Sequence, residues 1–511
     1  MIGGKMNKKI FSIAWFILLL ITIFSCTSII PNIEKASSAN NSEAILSYKD
    51  DAILLSEPFQ PDEKTKEILK KIVYISDSDT PINEGKNPNH VIVDGIPYYR
   101  YQYLTQKDSY SFHPMSMGRY MKNNTNEINL NMILSASVEI PNSGIVWYYP
   151  SNYQNSRMLG PYWKYSCISQ GTILAGLTKV GALTGNDYSL ALRAFNGILF
   201  PFYNGGVNLE GVALLEMPSY KAAPEIVLNG WLDALFHISD YANASGDEKA
   251  LKLLSDNLSF LSRVLKNFDS EDNLISRYSD LCPYRVRIYF NKADNISIDS
   301  LKILYTPKYK ELKPIIVPLQ SLKQDTISIY DNQIIKITDS YIDIYLSISG
   351  LYDTIVLADF PFKASINPGM VNLKSTTPGS KGISQTSEAS FLEEFFYINF
   401  SKNYIDLIPG YPTNFSKYDK YNYYHVYHVV ALMLLAKQSN IPLQEEKIIL
   451  EYALKWYDYM EKKILPHGLE FYSTETMLRD INNNQYIIEE DNWENLLQWA
   501  KQEYSKLSQT K

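Results

Sequence analysis

Apolar positions keep a helical period over two long stretches of this chain, and a period of two over the stretch between them. Helical spacing first shows at 63–74 (Ile68, Leu69, Ile72, Val73) and again, through Met and aromatic residues, at 110–123. Between these, 91–99 reads as a short strand or turn region. The spacing is clearest from 167 to 241. Ile168, Leu174, Leu177 and Leu183 mark one amphipathic helix, stopped by Thr184-Gly185-Asn186. Asp187 caps a second, with Leu190, Ala194 and Ile198; 226–242 is a third; Ser245-Gly246-Asp247 leads into a fourth with Leu251, Leu254, Leu258 and Leu261. Helix pairs joined by short polar loops predict α-hairpins in series. The fold class is therefore mainly α: an α/α toroid whose loops gather at one end as a concave floor.

The period changes at Pro283. Residues 285–289, 326–330, 335–338 and 341–348 alternate, separated by turn residues such as Asp331-Asn332 and Ser349-Gly350. They predict a small β-sandwich, inserted or appended, standing apart as a lobe. It reads as a carbohydrate-binding module, a packing module or a spacer. Residues 367–387 are rich in Gly, Ser, Thr, Pro and Lys and read as a surface loop or flap. Helical spacing returns at Tyr424, Pro442 opens another helix through Met460, and 493–507 is the last. The chain thus divides into a leader (1–26), a flexible tether (27–61), a first helical segment (62–282), the β module (283–363), loops and connection (364–417), and a second helical segment (418–511).

The leader changes the picture of location. Lys8 and Lys9 precede an apolar run from Ile10 to Phe24, followed by Ser25 and Cys26. A basic start, a short apolar run and a small residue form an export signal, and the cysteine that follows resembles a bacterial lipoprotein box, imperfect at the bulky Phe24; a plain signal peptide and an uncleaved anchor are the alternatives. Cys26 is the expected lipidation site and mature N-terminus, anchoring the protein to a membrane, facing outward. With Cys26 lipidated, Cys167 and Cys282 are too few for a disulfide framework, and no CxxC is present for a zinc ribbon. The net charge of −7 argues against a nucleic-acid partner. The 40 tyrosines fit either compositional drift or sugar-facing surfaces.

The candidate chemistry centres on 216–231. Glu216 and Tyr220 sit just before a helix start, on a loop held by a rigid element. Glu216-Met217-Pro218 followed by Val227-Leu228-Asn229-Gly230-Trp231 resembles the Glu-Tyr-Pro and Val-Leu-Asn-Gly-Phe segment of the heparan-sulfate D-glucuronyl C5-epimerase family. Four further segments resemble that family in the same order. Ser111-Phe112-His113-Pro114 is similar to an upstream Phe-Tyr-Pro, Ser169-Gln170-Gly171 to its Ala-Gln-Gly, Phe268-Asp269-Ser270 through Leu281 to its Tyr-Asp-Thr and Ile-Tyr-Asp-Leu, and Tyr424-His425-Val426-Tyr427-His428 to its Tyr-His-Thr-Thr-His. The resemblance spans about 111–281 and 418–462.

What the resemblance implies is a uronyl C5-epimerase acting on an anionic polysaccharide. Such an enzyme removes a carbon-bound proton beside a carboxylate and returns one on the other face, so an acid and a base must flank the ring. In principle it needs no cofactor and no metal. The family's catalytic Glu falls on Glu216 and one catalytic Tyr on Tyr424. A second Tyr falls on Ser276, so Tyr278 fits only with a two-residue shift, and Met217 replaces a further Tyr, for which Tyr220 is the substitute. The family's Arg after Ile-Tyr-Asp-Leu has no match, leaving Arg277 or Arg285 to hold the carboxylate. His113, Gln170, Asn229, His425 and His428 complete the expected substrate contacts. Glu216 and Tyr424 are expected to converge on one cleft, their oxygens about 6–8 Å apart to span a sugar ring. Three alternatives stay open: a polysaccharide lyase sharing the first proton abstraction, a non-catalytic glycan-binding lipoprotein, and, more weakly, a glycosidase, for which Glu216 lacks an evident carboxylate partner.

Overall fold

The computed structural model describes residues 48–55, 63, 67, 75–76, 90–93, 96–101, 109–123, 130–149, 165–216, 218, 223–271, 274–289, 301–318, 320–321, 334–337, 341–358, 366–368, 389–392, 395–398, 423–438, 441–464 and 492–509. Cys26 and its leader, Tyr220, the loop 367–387 from residue 369 on, the strand 326–330 and most of the helix at 63–74 lie outside the described residues. The chain divides into two units, Met1–Asp51 and Ala52–Lys511. Of the first, only the helical residues 48–51 are described.

The helices of the second unit are α1 (Pro114–Asn123), α2 (Leu130–Ser135), α3 (Cys167–Leu183), α4 (Ser189–Ile198), α5 (Leu228–Ser245), α6 (Glu248–Val264), α7 (Tyr423–Gln438), α8 (Leu443–Tyr459) and α9 (Trp493–Gln509). The described residues are mostly helical, with small sheets. Local signals set the helix ends. Ser166 caps α3 in a reciprocal capping box with Ser169, and the Asp247 carboxylate accepts from the N–H groups of Lys249 and Ala250 at the start of α6. Gly246, at φ 70°, closes α5.

Burial sorts the helices into two roles. Every side chain from Cys167 to Thr178 of α3, from Trp231 to Ser239 of α5 and from His425 to Ala436 of α7 is buried, as befits helices packed on all sides. The others bury one face: α6 turns Leu253, Leu254, Leu258 and Leu261 inward and leaves Lys252 and Asp256 paired outside. The buried helices lie side by side in the order α3–α5–α7, with α1, α4, α6 and α8 packed against them. The ring of a toroid is not seen among the described residues.

The alternating stretch forms strands. One sheet joins β1 (Ile53–Leu54), β4 (Ile315–Pro318), β3 (Leu301–Pro307) and β8 (Tyr352–Ala358) in that spatial order; the other joins β5 (Gln320–Ser321), β6 (Ile334–Ile337), β7 (Tyr341–Ser349), β2 (Leu281–Tyr289) and β9 (Ile366–Pro368). Three expectations need correcting. The module is not a lobe apart, because Ile303, Tyr305, Ile315, Val317, Leu351 and Tyr352 belong to the same hydrophobic core as the helices. The stretch read as tether contains a strand, Ile53–Leu54, paired in parallel with Ile315 and Ile316. The helix expected from 110 begins only at Pro114, whose fixed φ and missing N–H suit a first helical position. Ser109–Ser111 instead pairs antiparallel with 99–101, in a small sheet that also holds Ile75–Ser76 and His90–Val93.

Candidate active site

Three segments meet at the first turn of α5, and buried polar bonds tie the second and third to α5 and to each other. The first segment carries Glu216. It leaves a short hairpin (Asn208–Leu209 with Ala213–Leu214), and the Leu215 carbonyl accepts from the N–H of Cys167, the first residue of α3. The Glu216 side chain lies against Gly230, in the opening turn of α5. A Cβ at Gly230 would stand 2.2 Å from Glu216 Oε2 and 2.7 Å from Glu216 Cβ, so only glycine leaves room for the carboxylate. The positive end of the α5 dipole favours a negative charge there. The Cys167 thiol donates to the Gly230 carbonyl at 3.5 Å. Burial first, then the Glu216 and Asp233 carboxylates, hold that thiol well above its usual range. Cys167 is a buried neutral neighbour of the carboxylate.

The second segment is 275–281. Its backbone pins the start of α5: the Leu228 N–H donates to the Tyr278 carbonyl at 2.8 Å, and Val227 and Ser279 form an antiparallel bridge. The Tyr278 side chain packs on Val227 and meets the Tyr424 ring edge-on, centroids 4.8 Å apart. Tyr424 belongs to the third segment, α7, and is the more exposed of the two rings. Ser276 ties the second segment to the third. Its N–H donates to His425 Nδ1 at 3.0 Å, and its hydroxyl lies 2.8 Å from Nδ1 of both His425 and His428. The Trp456 carbonyl can only accept, so at 3.0 Å it takes the proton of His425 Nε2, which leaves Nδ1 as the acceptor for Ser276. The third tie joins α7 to α5: Tyr427 donates to Asp233 at 3.2 Å.

The expected residues fall into two groups. Glu216 lies against Gly230, and Tyr278 and Tyr424 pack on each other beside Val227, just ahead of α5, with Asn229 half-buried in the first turn. The other expected contacts are held in the interior. His425 and His428 are buried in the tie just described, and burial, with His425 next to it, pushes the His428 pKa well below its usual value. Gln170 is fully buried, its amide donating to the carbonyls of Ile145 and Ala194 and so joining α3 to its neighbours. His113 sits just ahead of α1, accepting from Ser116 and packed edge-on to Tyr149; burial, then Arg119, lowers its pKa to about 4. Arg277 is buried, its N–H donating to the Phe268 carbonyl. Among the described residues no group of three His, Cys, Asp or Glu side chains could hold a metal ion.

Sequence reasoning missed Gly230, Ser276, Asp233 and Tyr427 as parts of the site. Asp233 carried a signal: it is the one charged residue in the apolar run 231–238, with His237 one turn on and 3.6 Å away.

Comparison with known proteins bears on this arrangement. Residues 141–306 match the family model of the D-glucuronyl C5-epimerase C-terminus, so the resemblance carried by the motifs holds over that segment. The match covers about a third of the 511 residues, taking in Glu216, Gly230 and Tyr278 but not Tyr424. It extends past the helices through the first two strands of the β module. No curated protein matches the chain.

Proposed function

We propose that this protein is a uronyl C5-epimerase that converts glucuronate to iduronate within an anionic polysaccharide. The observation that carries this reading is the placement of Glu216 on Gly230 at the start of α5, the same helix start that the Tyr278 backbone pins and at which Tyr278 meets Tyr424. The family match over 141–306 supports it. A proton at C5 is acidified only by the neighbouring carboxylate, so the site must supply a base on one ring face and an acid on the other. Glu216 takes one post. Tyr424, the more exposed phenol, takes the other, with Tyr278 holding its ring. The proton leaves C5 to one group, the electron pair delocalises into the substrate carboxylate as an enediolate, and the opposite group returns a proton. On this reading the neighbouring helices α1, α3, α5 and α7 belong to an α/α toroid whose loops present the cleft.

The test is the product. Incubation with glucuronate polymers, unsulfated heparosan first, should yield iduronate signals by NMR. Absorbance from an unsaturated uronate would make the protein a lyase instead. Binding without any product would make it a glycan-binding protein. We also assign Cys26 as the lipid-bearing N-terminus, which places the enzyme on the outer face of a membrane; the basic-apolar-Ser25-Cys26 layout supports this.

A further inference from the structure

The β module reaches the candidate site through one buried carboxylate. Asp280 is fully buried two residues after Tyr278. One of its oxygens accepts from the Ile226 N–H at 2.7 Å, and its own N–H donates to the Ile226 carbonyl at 3.1 Å. These bonds hold the chain just ahead of α5. The other oxygen accepts from the Ser349 hydroxyl at 2.9 Å, and the Asp280 carbonyl accepts from Gly350 N–H at 3.2 Å. Ser349, Gly350 and Leu351 form the tight turn that carries the chain from one sheet of the module to the other. That turn is itself fixed: Leu351 N–H donates to the Ser349 hydroxyl, Asn267 at the end of α6 donates to the Gly350 carbonyl, and the Leu351 carbonyl accepts from Lys308 N–H. A Cβ at Gly350 would sit 2.9 Å from the Asn267 side chain, so the turn is pressed against the helical domain. Backbone and hydroxyl donors hold the Asp280 carboxylate.

We propose that Asp280 is a positioning residue through which the β module fixes the start of α5, making the module part of the active-site scaffold instead of a spacer or a separate glycan-binding unit. The functional consequence rests on the reading of Glu216 and Tyr424 as the proton-transferring pair, but the mechanical claim does not. A carboxylate that bonds the Ile226 amide on one side and the Ser349 hydroxyl on the other transmits the position of the turn directly to 226–228. The Leu228 amide bonds Tyr278, and Gly230 two residues on holds Glu216, so a shift at 226 moves both groups. Misplacement of reacting groups by about 1 Å is enough to cost about 100-fold in rate.

The test is Ser349→Ala in the full chain, with Ser349→Thr as the conservative variant. Ser349 lies in the β module and leaves the Asp280–Ile226 bond in place. Amide hydrogen exchange should show protection at Ile226 and Leu228 falling about tenfold or more in the Ala variant, with the α5 residues from Leu232 on unchanged, and recovering in the Thr variant. On a polymer that the wild type epimerises, kcat should fall about fivefold with KM within twofold, and Thr should restore it. Unchanged protection at 226 and 228, or a uniform loss across all helices, overturns the proposal. A wild type that epimerises nothing sinks the enzymatic reading alone, because the exchange measurement still decides the mechanical one.

Discussion

At Gly230 a single absent Cβ decides where Glu216 lies. Alanine is ordinarily favoured over glycine inside a helix by about 0.5–1 kcal/mol, so propensity alone would make Gly230→Ala neutral or stabilising. The added Cβ would stand 2.2 Å from Glu216 Oε2, which forces the carboxylate aside. Gly230→Ala should therefore keep its far-UV circular dichroism and lose about 100-fold in turnover; near-wild-type turnover would show that the carboxylate position is unimportant. The Asn-Gly-Trp motif at 229–231 was visible in the sequence, but the reason for its glycine was not, because that reason is a neighbour fourteen positions upstream. Polar residues in the motifs misled for a related cause. Gln170 and His428 look like substrate contacts in a string of letters, whereas the folded chain uses their hydrogen-bonding groups to join buried elements. Sequence shows that a side chain is polar; only packing shows whether water or protein satisfies it.

Among the elements, the polar ties between α5, α7 and 275–281 fix the site. Tyr427→Phe removes one donor from the buried Asp233 carboxylate and should cost about 1–3 kcal/mol of unfolding free energy, measured by urea denaturation. An unchanged midpoint would mean that this bond does not hold the two helices together. Asp280 gives a pH signature. Burial, with the charge of Glu225 adding to it, pushes its pKa up to about 7, against the donors from Ile226, Ser349 and Gly350. A carboxyl with a raised folded-state pKa contributes stability that is complete below the unfolded value near 3.8 and is lost as pH rises through about 7. Lys308, just past the end of β3 and with its own pKa lowered mainly by burial, and Asp353 on β8 stand nearby and will contribute to the wild-type curve. The stability of wild type relative to Asp280→Asn should therefore decline from pH 4 to pH 8; a flat difference would contradict the assignment. Helices were legible because their apolar period is local, and caps such as Asp247 stood in plain sequence. Short strands were not. Ile53–Leu54 has too few residues to show a period, and its partner Ile315–Ile316 lies far along the chain.

For the whole molecule, the sequence separated helices from sheets but could not show that they share one core, since alternation reports a strand and not what covers it. The family match crosses from helices into strands β2 and β3, in keeping with sheets and helices that pack as one unit. Location carries its own expectation: Cys26→Ala should abolish incorporation of labelled palmitate and release the protein from the membrane fraction, and continued labelling would contradict the assignment. The central claim is that Glu216 and Tyr424 exchange the C5 proton of a uronate. The most direct measurement is deuterium incorporation at C5 from heavy water, followed by NMR on a glucuronate polymer, for wild type, Glu216→Gln and Tyr424→Phe. Exchange by the wild type, reduced about 100-fold or more in each folded variant, is the predicted result. Exchange that persists at the wild-type rate in either variant would contradict it.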